Sequence, residues 1–303
     1  MGTLQFYEKR KPCSRTPLSS LQIFLFYICF YSFLAGYWSL CFYVFWSNFI
    51  TDEPTYILDQ SVIGVKPGVG IVPRLPEEFN YDHGRTYHYF LFKDWKNNFN
   101  NDSNDYIWVN HIHQYFENLP SDASSVPCNA GDHEYHESNI CQIDMEKLGQ
   151  ECTEYPYGYS NQNFKPCLFL KLNRIYKFKP EPFALEQFKS FSSWINTTTV
   201  QARILEEPKK VYLSCHGINE ETEQKIAGKF NYFPSDGGIS FRYFPYHNLR
   251  EVSQSPLVAI QLEPDFPRNE ELIVDCYAFF KGVVHDHKTR QGFVRFHVKI
   301  IDP

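Results

Sequence analysis

The sequence predicts one membrane-spanning helix near the N-terminus, followed by a mainly-β domain held by disulfide bonds. Residues 23–46 contain no Asp, Glu, Lys, Arg or His. A helix of that length is about 36 Å long, which is enough to cross a bilayer. Several later segments alternate apolar and polar residues, as half-buried strands do, and six cysteines follow the apolar segment.

The composition is typical of a folded chain that does not bind nucleic acid. Of 303 residues, 18% are aromatic, and the formal net charge is -6. Disordered chains have few aromatic residues, and nucleic-acid-binding proteins carry a basic surface. We therefore expect a packed core and no nucleic-acid partner.

The charges on either side of the apolar segment predict its orientation. Four basic residues and one acidic residue precede it, whereas Asp52 and Glu53 follow it. Because basic residues favour the cytoplasmic side, we expect a single-pass type II membrane protein. A cleaved signal peptide is disfavoured, because the apolar segment is longer than the apolar part of such peptides. The predicted parts are a cytoplasmic tail (1–22), a signal-anchor helix (23–46), an extracellular stalk (47–76) and an extracellular β-sandwich (77–303).

The ectodomain pattern predicts one short helix and then strands. Apolar residues recur at helical spacing over 105–119, and residues 121–166 are typical of disulfide-held loops. The clearest strand is 294–300, where Val294 and Phe296 alternate with Arg295 and His297. Strands separated by turn residues favour an antiparallel sandwich. The other predicted strands are 168–172, 211–215, 257–262 and 272–280.

The cysteines after the apolar segment favour disulfides over a metal site, because no Cys-x-x-Cys spacing occurs. They are Cys128, Cys141, Cys152, Cys167, Cys215 and Cys276. Fifteen pairings are open to six cysteines, and the sequential one is the most compact. The separation of Cys215 and Cys276 resembles the inter-sheet bridge of immunoglobulin-like sandwiches, although no Trp lies between them.

Two Asn-x-Ser/Thr sequences predict N-glycosylation, at Asn101 and Asn196. Both lie on the predicted extracellular side, which is the side on which N-glycans are attached. They are consistent with the orientation inferred from the charges.

The sequence contains no motif that predicts catalysis or cofactor binding. Gly68-Val69-Gly70 lacks the third glycine of a nucleotide loop, and His285-Asp286-His287 lacks a third metal ligand nearby. Cys215-His216 is better explained by a bridged strand cysteine than by a thiol enzyme. We predict a protein that is not an enzyme and has no metal or cofactor.

The apolar segment is unusually rich in aromatic residues for a helix that faces only lipid. Tyr27 and Tyr31 lie one turn apart, and the small residues Ala35 and Gly36 follow. Small residues let another helix approach closely, whereas aromatic residues near the ends also suit the membrane interface. We favour packing against a partner helix over contact with lipid alone.

These motifs, together with others along the chain, resemble the beta subunits of the Na,K-ATPase and H,K-ATPase family. The span matches as Phe26-Tyr27-x-x-Phe30-Tyr31-x-x-Leu34-Ala35-Gly36. Further matches are Pro67-Gly68-x-Gly70-x-x-Pro73, Tyr157-Gly158-Tyr159, Lys165-Pro166-Cys167, Lys171-Leu172-Asn173-Arg174-Ile175, Tyr243-Phe244-Pro245-Tyr246, Pro256-Leu257-Val258-Ala259-Ile260-Gln261 and Gln291-Gly292-Phe293.

The resemblance implies a non-catalytic, plasma-membrane subunit that helps a P-type ATPase alpha subunit to fold, assemble and reach the membrane, and that influences potassium occlusion. It implies sequential disulfides, because all six cysteines lie as in the family. It also implies contact with the alpha subunit through Tyr27 and Tyr31 in the span and through the segment Tyr243, Phe244, Pro245 and Tyr246.

Two departures from the family pattern leave the choice between sodium pump and proton pump open. His247-Asn248 stands where Tyr-Gly is usual, and Ile71 stands where an aromatic residue is common. A pump-independent adhesion or junction protein is the alternative function, since the same fold is compatible with it.

Overall fold

The structure is a computed structural model, which describes residues 17–49, 54–62, 64–74, 88–93, 104–120, 126–128, 141–159, 164–191, 193–246, 254–285 and 291–302. The chain divides into two compact units, 1–51 and 52–303. The predictions for the N-terminal tail, Asn101, His247-Asn248 and Asp286-His287 concern residues outside the described ranges.

The first unit contains one long helix, α1, which spans Pro17–Ser47 and buries none of its side chains. Its 31 residues correspond to about 46 Å, more than the hydrocarbon thickness of a bilayer. It is the one helix in the described part of the chain that is long and apolar enough to cross a membrane. The predicted N-terminal apolar helix is confirmed. It begins six residues before residue 23, with Pro17 at its first position, where proline is favoured.

The second unit is mainly β. Its helices are α2 (Asn104–Glu117), α3 (Gln150–Thr153), α4 (Thr198–Glu206) and α5 (Glu220–Ile226). Its strands are β1 (Val69–Val72), β2 (His88–Lys93), β3 (Val126–Pro127), β4 (Cys141–Gln142), β5 (Cys167–Leu172), β6 (Lys210–Gly217), β7 (Phe230–Phe233), β8 (Gly238–Ser240), β9 (Leu257–Leu262), β10 (Glu271–Phe279) and β11 (Phe293–Ile301).

The strands form two larger sheets and one two-stranded sheet. The four-stranded sheet has the order β1-β5-β9-β7, and the five-stranded sheet has the order β2-β11-β10-β6-β8. In the two larger sheets every pair is antiparallel except β2 with β11, which is parallel. The two-stranded sheet pairs β3 with β4 in parallel. The expected mainly-β fold is therefore confirmed, with one mixed sheet where a wholly antiparallel one was expected.

The two sheets share one hydrophobic core, and α2 covers part of it. Buried residues of both sheets belong to a single cluster. The Tyr232 hydroxyl of β7 accepts a hydrogen bond from the Cys215 N–H of β6, at 2.9 Å, which links the sheets directly. The Phe116 ring of α2 meets Phe169 of β5 at 5.1 Å between centroids, so β5 is buried on both faces.

The predicted stalk ends earlier than expected. Residues 69–72, placed in the stalk by their Gly- and Pro-rich surroundings, form β1 at the edge of the four-stranded sheet. Val69, Ile71 and Val72 are buried there. Four residues are too short to show a clear alternation, and only the pairing with β5 defines the strand. The β domain therefore begins before residue 77.

The three disulfides are the sequential ones, but one of them differs from the immunoglobulin-like expectation. They join Cys128 to Cys141, Cys152 to Cys167 and Cys215 to Cys276. Cys215 and Cys276 are directly paired residues of β6 and β10, so this bridge lies within one sheet. Sequence separation measures only loop length. The intervening chain runs through the other sheet and returns, so adjacent strands are far apart in sequence.

Candidate interaction surfaces

Aromatic side chains form a stripe along α1. At 100° per residue, Tyr27, Tyr31, Ala35, Trp38 and Phe42 fall within about 80° of the helix circumference. The Tyr27 and Tyr31 rings stack at 5.9 Å between centroids, and the Trp38 and Phe42 rings stack at 5.7 Å. These residues will be called the aromatic stripe.

The side chains of the aromatic stripe are exposed on α1. Tyr27 is 49% exposed and Tyr31 is 59% exposed. Ala35 interrupts the rings and leaves a notch between Tyr31 and Trp38, where a second backbone can approach. Gly36 lies about 140° away from the middle of the stripe by the same helical geometry. Of the two small residues Ala35 and Gly36, Ala35 therefore belongs to the aromatic stripe and Gly36 does not.

The second predicted contact segment is largely inside its own domain. Tyr243, Phe244 and Tyr246 are 5%, 7% and 7% exposed. The Tyr243 hydroxyl donates to the Gln142 carbonyl at 3.2 Å, and the Phe244 ring meets Phe178 at 5.8 Å. Their side chains therefore contribute to the core.

Tyr246, at the end of this segment, is held by its neighbours. The Tyr246 carbonyl accepts from the Lys177 N–H at 2.9 Å, and the Arg174 guanidinium lies 5.6 Å from the Tyr246 ring centroid. Burial raises the pKa of Tyr246 to about 12, and the nearby Arg174 charge acts in the opposite direction. Pro245 alone is partly exposed. A partner can reach the surface of this segment but not most of its side chains.

The acceptor sequence at Asn196 is on the surface. The Asn196 side chain is exposed, and its Oδ1 accepts from the Thr198 N–H at 3.1 Å and from the Thr198 hydroxyl at 2.6 Å. Asn196 precedes α4, and α4 buries Val200 and Ile204 against the domain. The turn therefore presents Asn196 outwards.

A buried polar row on β6, Ser214 and His216 with Glu223 of α5, is not predicted by the sequence motifs. The Nε2 of His216 lies 2.9 Å from the Ser214 hydroxyl oxygen, and its Nδ1 lies 3.0 Å from Oε1 of Glu223. The second oxygen of Glu223 accepts from the Gly217 N–H at 2.5 Å. Ser214 and His216 are two residues apart on a strand and so share a face, which the sequence does indicate. Their link to Glu223 of α5 depends on the fold.

The order Ser–His–Glu resembles the nucleophile, base and orienting acid of hydrolases. However, all three side chains are buried. The neighbouring cavity, of about 250 Å³, is lined by Gly217, Ile218 and residues of other elements, and not by Ser214 or His216. The row therefore holds α5 against β6 and offers no access to a substrate.

Neither of the other two residues considered for chemistry forms a reactive site. Cys215 is bridged to Cys276, and His285 lies with its Nε2 2.9 Å from the Ala278 carbonyl oxygen. Within the described ranges, no group of three or more His, Cys, Asp or Glu side chains could hold a metal ion.

These features define a class of protein: one apolar helix of membrane-spanning length, joined in sequence to a disulfide-linked domain of two β-sheets. The family model described as "Sodium / potassium ATPase beta chain" matches residues 5–297. The chain belongs to this family.

Curated relatives cover almost the whole chain. The sodium/potassium-transporting ATPase subunit beta-2 of Drosophila melanogaster is 28% identical, over 92% of this chain and 84% of its own length. Subunit beta-1 of Tetronarce californica is 27% identical, over 97% of this chain and 92% of its own length. Protein ATP1B4 of Homo sapiens is 28% identical, over 92% of this chain and 68% of its own length.

Proposed function

We propose that this chain is the non-catalytic beta subunit of a P-type sodium/potassium-transporting ATPase. It binds the catalytic alpha subunit, assists its folding, assembly and delivery to the plasma membrane, and modulates potassium occlusion. The N-terminus is cytoplasmic and the β domain is extracellular. The observation that carries this proposal is the family match over residues 5–297.

The aromatic stripe supports the membrane part of the proposal. Its rings are exposed on α1, and lipid alone requires only length and apolarity. A facing helix can pack against the row of stacked rings and can approach closely at Ala35, where the side chain is small. We propose that Tyr27 and Tyr31 pack against a helix of the alpha subunit.

The proposal is tested by co-purification. The full chain, carrying an affinity tag, is expressed with a sodium pump alpha subunit, and separately with a proton pump alpha subunit, and is isolated in mild detergent. A fixed stoichiometry with one of them is expected, and the preferred one identifies the pump. Isolation without either would favour the adhesion or junction function.

The stripe is tested with paired variants. Replacement of Tyr27 and Tyr31 by Leu should weaken assembly through the span about 5- to 150-fold, because packing and polar contacts of about 1 to 3 kcal/mol are lost. The matched control replaces Phe33 and Tyr37 by Leu, another exposed aromatic pair one turn apart, whose midpoint lies about 140° around α1 from the middle of the stripe. Equal losses in both pairs would contradict the stripe as the contact surface.

Extracellular placement has its own test. Enzymatic removal of N-glycans should lower the apparent mass in two steps, one for Asn101 and one for Asn196. Replacing Asn196 by Gln should abolish one step and leave the other. If the wild-type chain never changes mobility, the proposed orientation loses this support.

A further inference from the structure

A cleft of about 750 Å³ opens on the β domain between α2 and the ends of β1 and β5. Its volume lies within the roughly 300–1,000 Å³ of small-molecule sites. The residues that line it come from elements distant in sequence, so it exists only in the folded domain. None of its lining residues belongs to the buried row on β6.

The lining of the cleft is basic. Arg74, Lys171 and Arg174 lie on it together with His88 and His111, and none of the described lining residues is acidic. Burial lowers the pKa of Lys171, and the charges of Arg174 and Arg74 lower it further. The Arg74 and Arg174 charges therefore act on Lys171, and a bound anion would offset their effect on it.

The rest of the lining suits a polar ligand with many hydroxyl groups. The side-chain amides of Gln114, Asn118 and Asn173 can both donate and accept hydrogen bonds. Tyr115 contributes an aromatic ring, and the Lys171 ammonium lies 5.2 Å from its centroid. Arg174 is oriented by its Nε, which donates to the Ser255 hydroxyl at 3.0 Å.

We propose that this cleft binds an acidic saccharide, that is, a short sugar chain bearing sulfate or carboxylate groups. Arg74, Lys171 and Arg174 hold the anionic groups, and the amides of Gln114, Asn118 and Asn173 hold the hydroxyl groups. Guanidinium groups bind such oxyanions through two parallel hydrogen bonds. The choice of saccharide rests on the extracellular placement proposed above, because acidic sugar chains are abundant there.

The test uses the full chain in detergent, without any pump subunit, and a fluorescent sulfated tetrasaccharide derived from heparin. Saturable binding is expected, and it should weaken as salt is raised. Lys171→Gln and Arg74→Gln should each reduce affinity about tenfold, because a charge-assisted hydrogen bond is lost. Lys171→Arg should retain most of the affinity, since the charge remains.

The matched control is Lys189→Gln, which removes the same charge from an exposed position of the 3-10 helix Leu185–Ser190, which does not line the cleft. It should bind as the wild type does. An equal loss in Lys189→Gln, wild-type affinity in both cleft variants, or the absence of saturable binding would each overturn the proposal. If inorganic phosphate competes with the fluorescent probe as strongly as unlabelled tetrasaccharide does, the saccharide proposal is wrong and the cleft is a simple oxyanion site.

A further pair of variants tests whether the chain itself occupies the cleft. Glu77 and Glu78 follow Arg74 closely in sequence. If the tetrasaccharide binds only after both are replaced by Gln, the acidic stretch is the occupant and the saccharide proposal is wrong. Because pump association is measured separately, a failure here does not affect the proposed subunit function.

Discussion

Tyrosines of similar appearance in the sequence have different roles because their burial differs. Tyr27 and Tyr31 are exposed on α1, where a partner can reach their rings. Tyr243 and Tyr246 are buried in the β domain, although the family resemblance assigns all four to the same partner. A substitution in the second pair therefore acts first on the stability of the domain.

Variants of Tyr243 can separate an effect on the stability of the domain from an effect on pump association. Tyr243→Phe removes the hydrogen bond to the Gln142 carbonyl and should lower the free energy of unfolding by about 0.5–1.5 kcal/mol. Tyr243→Ala leaves a cavity and should cost about 3–5 kcal/mol. Denaturant unfolding of the detergent-solubilised chain measures both. We expect the Phe variant to keep its pump association. A selective loss of association at unchanged stability would instead make the hydroxyl a partner contact.

Glu223 is a second residue whose importance depends on burial. Glu223→Ala removes the acceptor of the Gly217 N–H and of His216, and should cost about 1–3 kcal/mol because buried donors are left unpaired. Gln224→Ala, an exposed neighbour on α5, is the control and should change stability by less than about 0.5 kcal/mol. Thermal or denaturant unfolding distinguishes them, and equal effects would show that the row does not stabilise the domain.

Among the elements, β6 and β10 are the pair that hold the five-stranded sheet together at its centre. β10 lies between β6 and β11, and the bridge between Cys215 and Cys276 joins two directly opposed residues. Gly217, at the end of β6, allows α5 to approach. A Cβ there would lie 2.3 Å from the backbone nitrogen of Glu223. The sheet, the bridge and the helix therefore depend on one another.

Loss of this bridge should be costly. Cys276→Ser opens a loop of 61 residues and should lower stability by about 2–5 kcal/mol, which often prevents folding altogether. Cys13→Ser, in the predicted tail, should have no effect. The yield of folded chain on expression in a host that forms disulfides, and the denaturant unfolding of the purified chain, measure the loss. Non-reducing peptide mapping that joined Cys215 to Cys128 would refute the pairing.

At the scale of the whole molecule, buried tyrosines should make the β domain sensitive to alkali. Burial raises the pKa of Tyr212, Tyr243, Tyr246 and Tyr277, and neighbouring carboxylates raise three of these further. For Tyr246 the value reaches about 12. Because an unfolded tyrosine ionises near pH 10, the folded state keeps these protons more tightly than the unfolded state.

The sign of the pH effect follows from that difference. The stabilising contribution is fully present below about pH 10 and is lost as pH rises towards 12 and beyond. Phenolate absorbance and circular dichroism, followed together against pH, should show late ionisation coupled to unfolding. Tyr246→Phe should reduce the coupled ionisation by one group. Ionisation of every tyrosine near pH 10 with the fold intact would contradict this expectation.

Local patterns were sufficient for several elements. The charge-free segment 23–46 identifies α1, because a membrane-spanning helix is specified by length and apolarity alone. The predicted strands correspond closely to β5, β6, β9, β10 and β11, although β5 and β9 are buried on both faces and are not half-buried as the pattern implies. His297 alternates with apolar residues in β11, which predicts an exposed side chain, but it is buried, and its Nδ1 lies 2.7 Å from Oε1 of Glu271 on β10. Contacts across strands do not show in a local pattern.

The sequence by itself determined the class of the protein: one apolar helix, a mainly-β domain, six cysteines for disulfides and a family resemblance. Tertiary structure alone decided that β1 belongs to the domain, that Cys215 and Cys276 bridge within one sheet and that Tyr243 is buried. It also brought Arg174 to Ser255 and Glu223 to His216. The apolar helix and the strands arise from neighbouring residues, whereas burial, pairing and clefts arise from contacts between residues far apart in the chain.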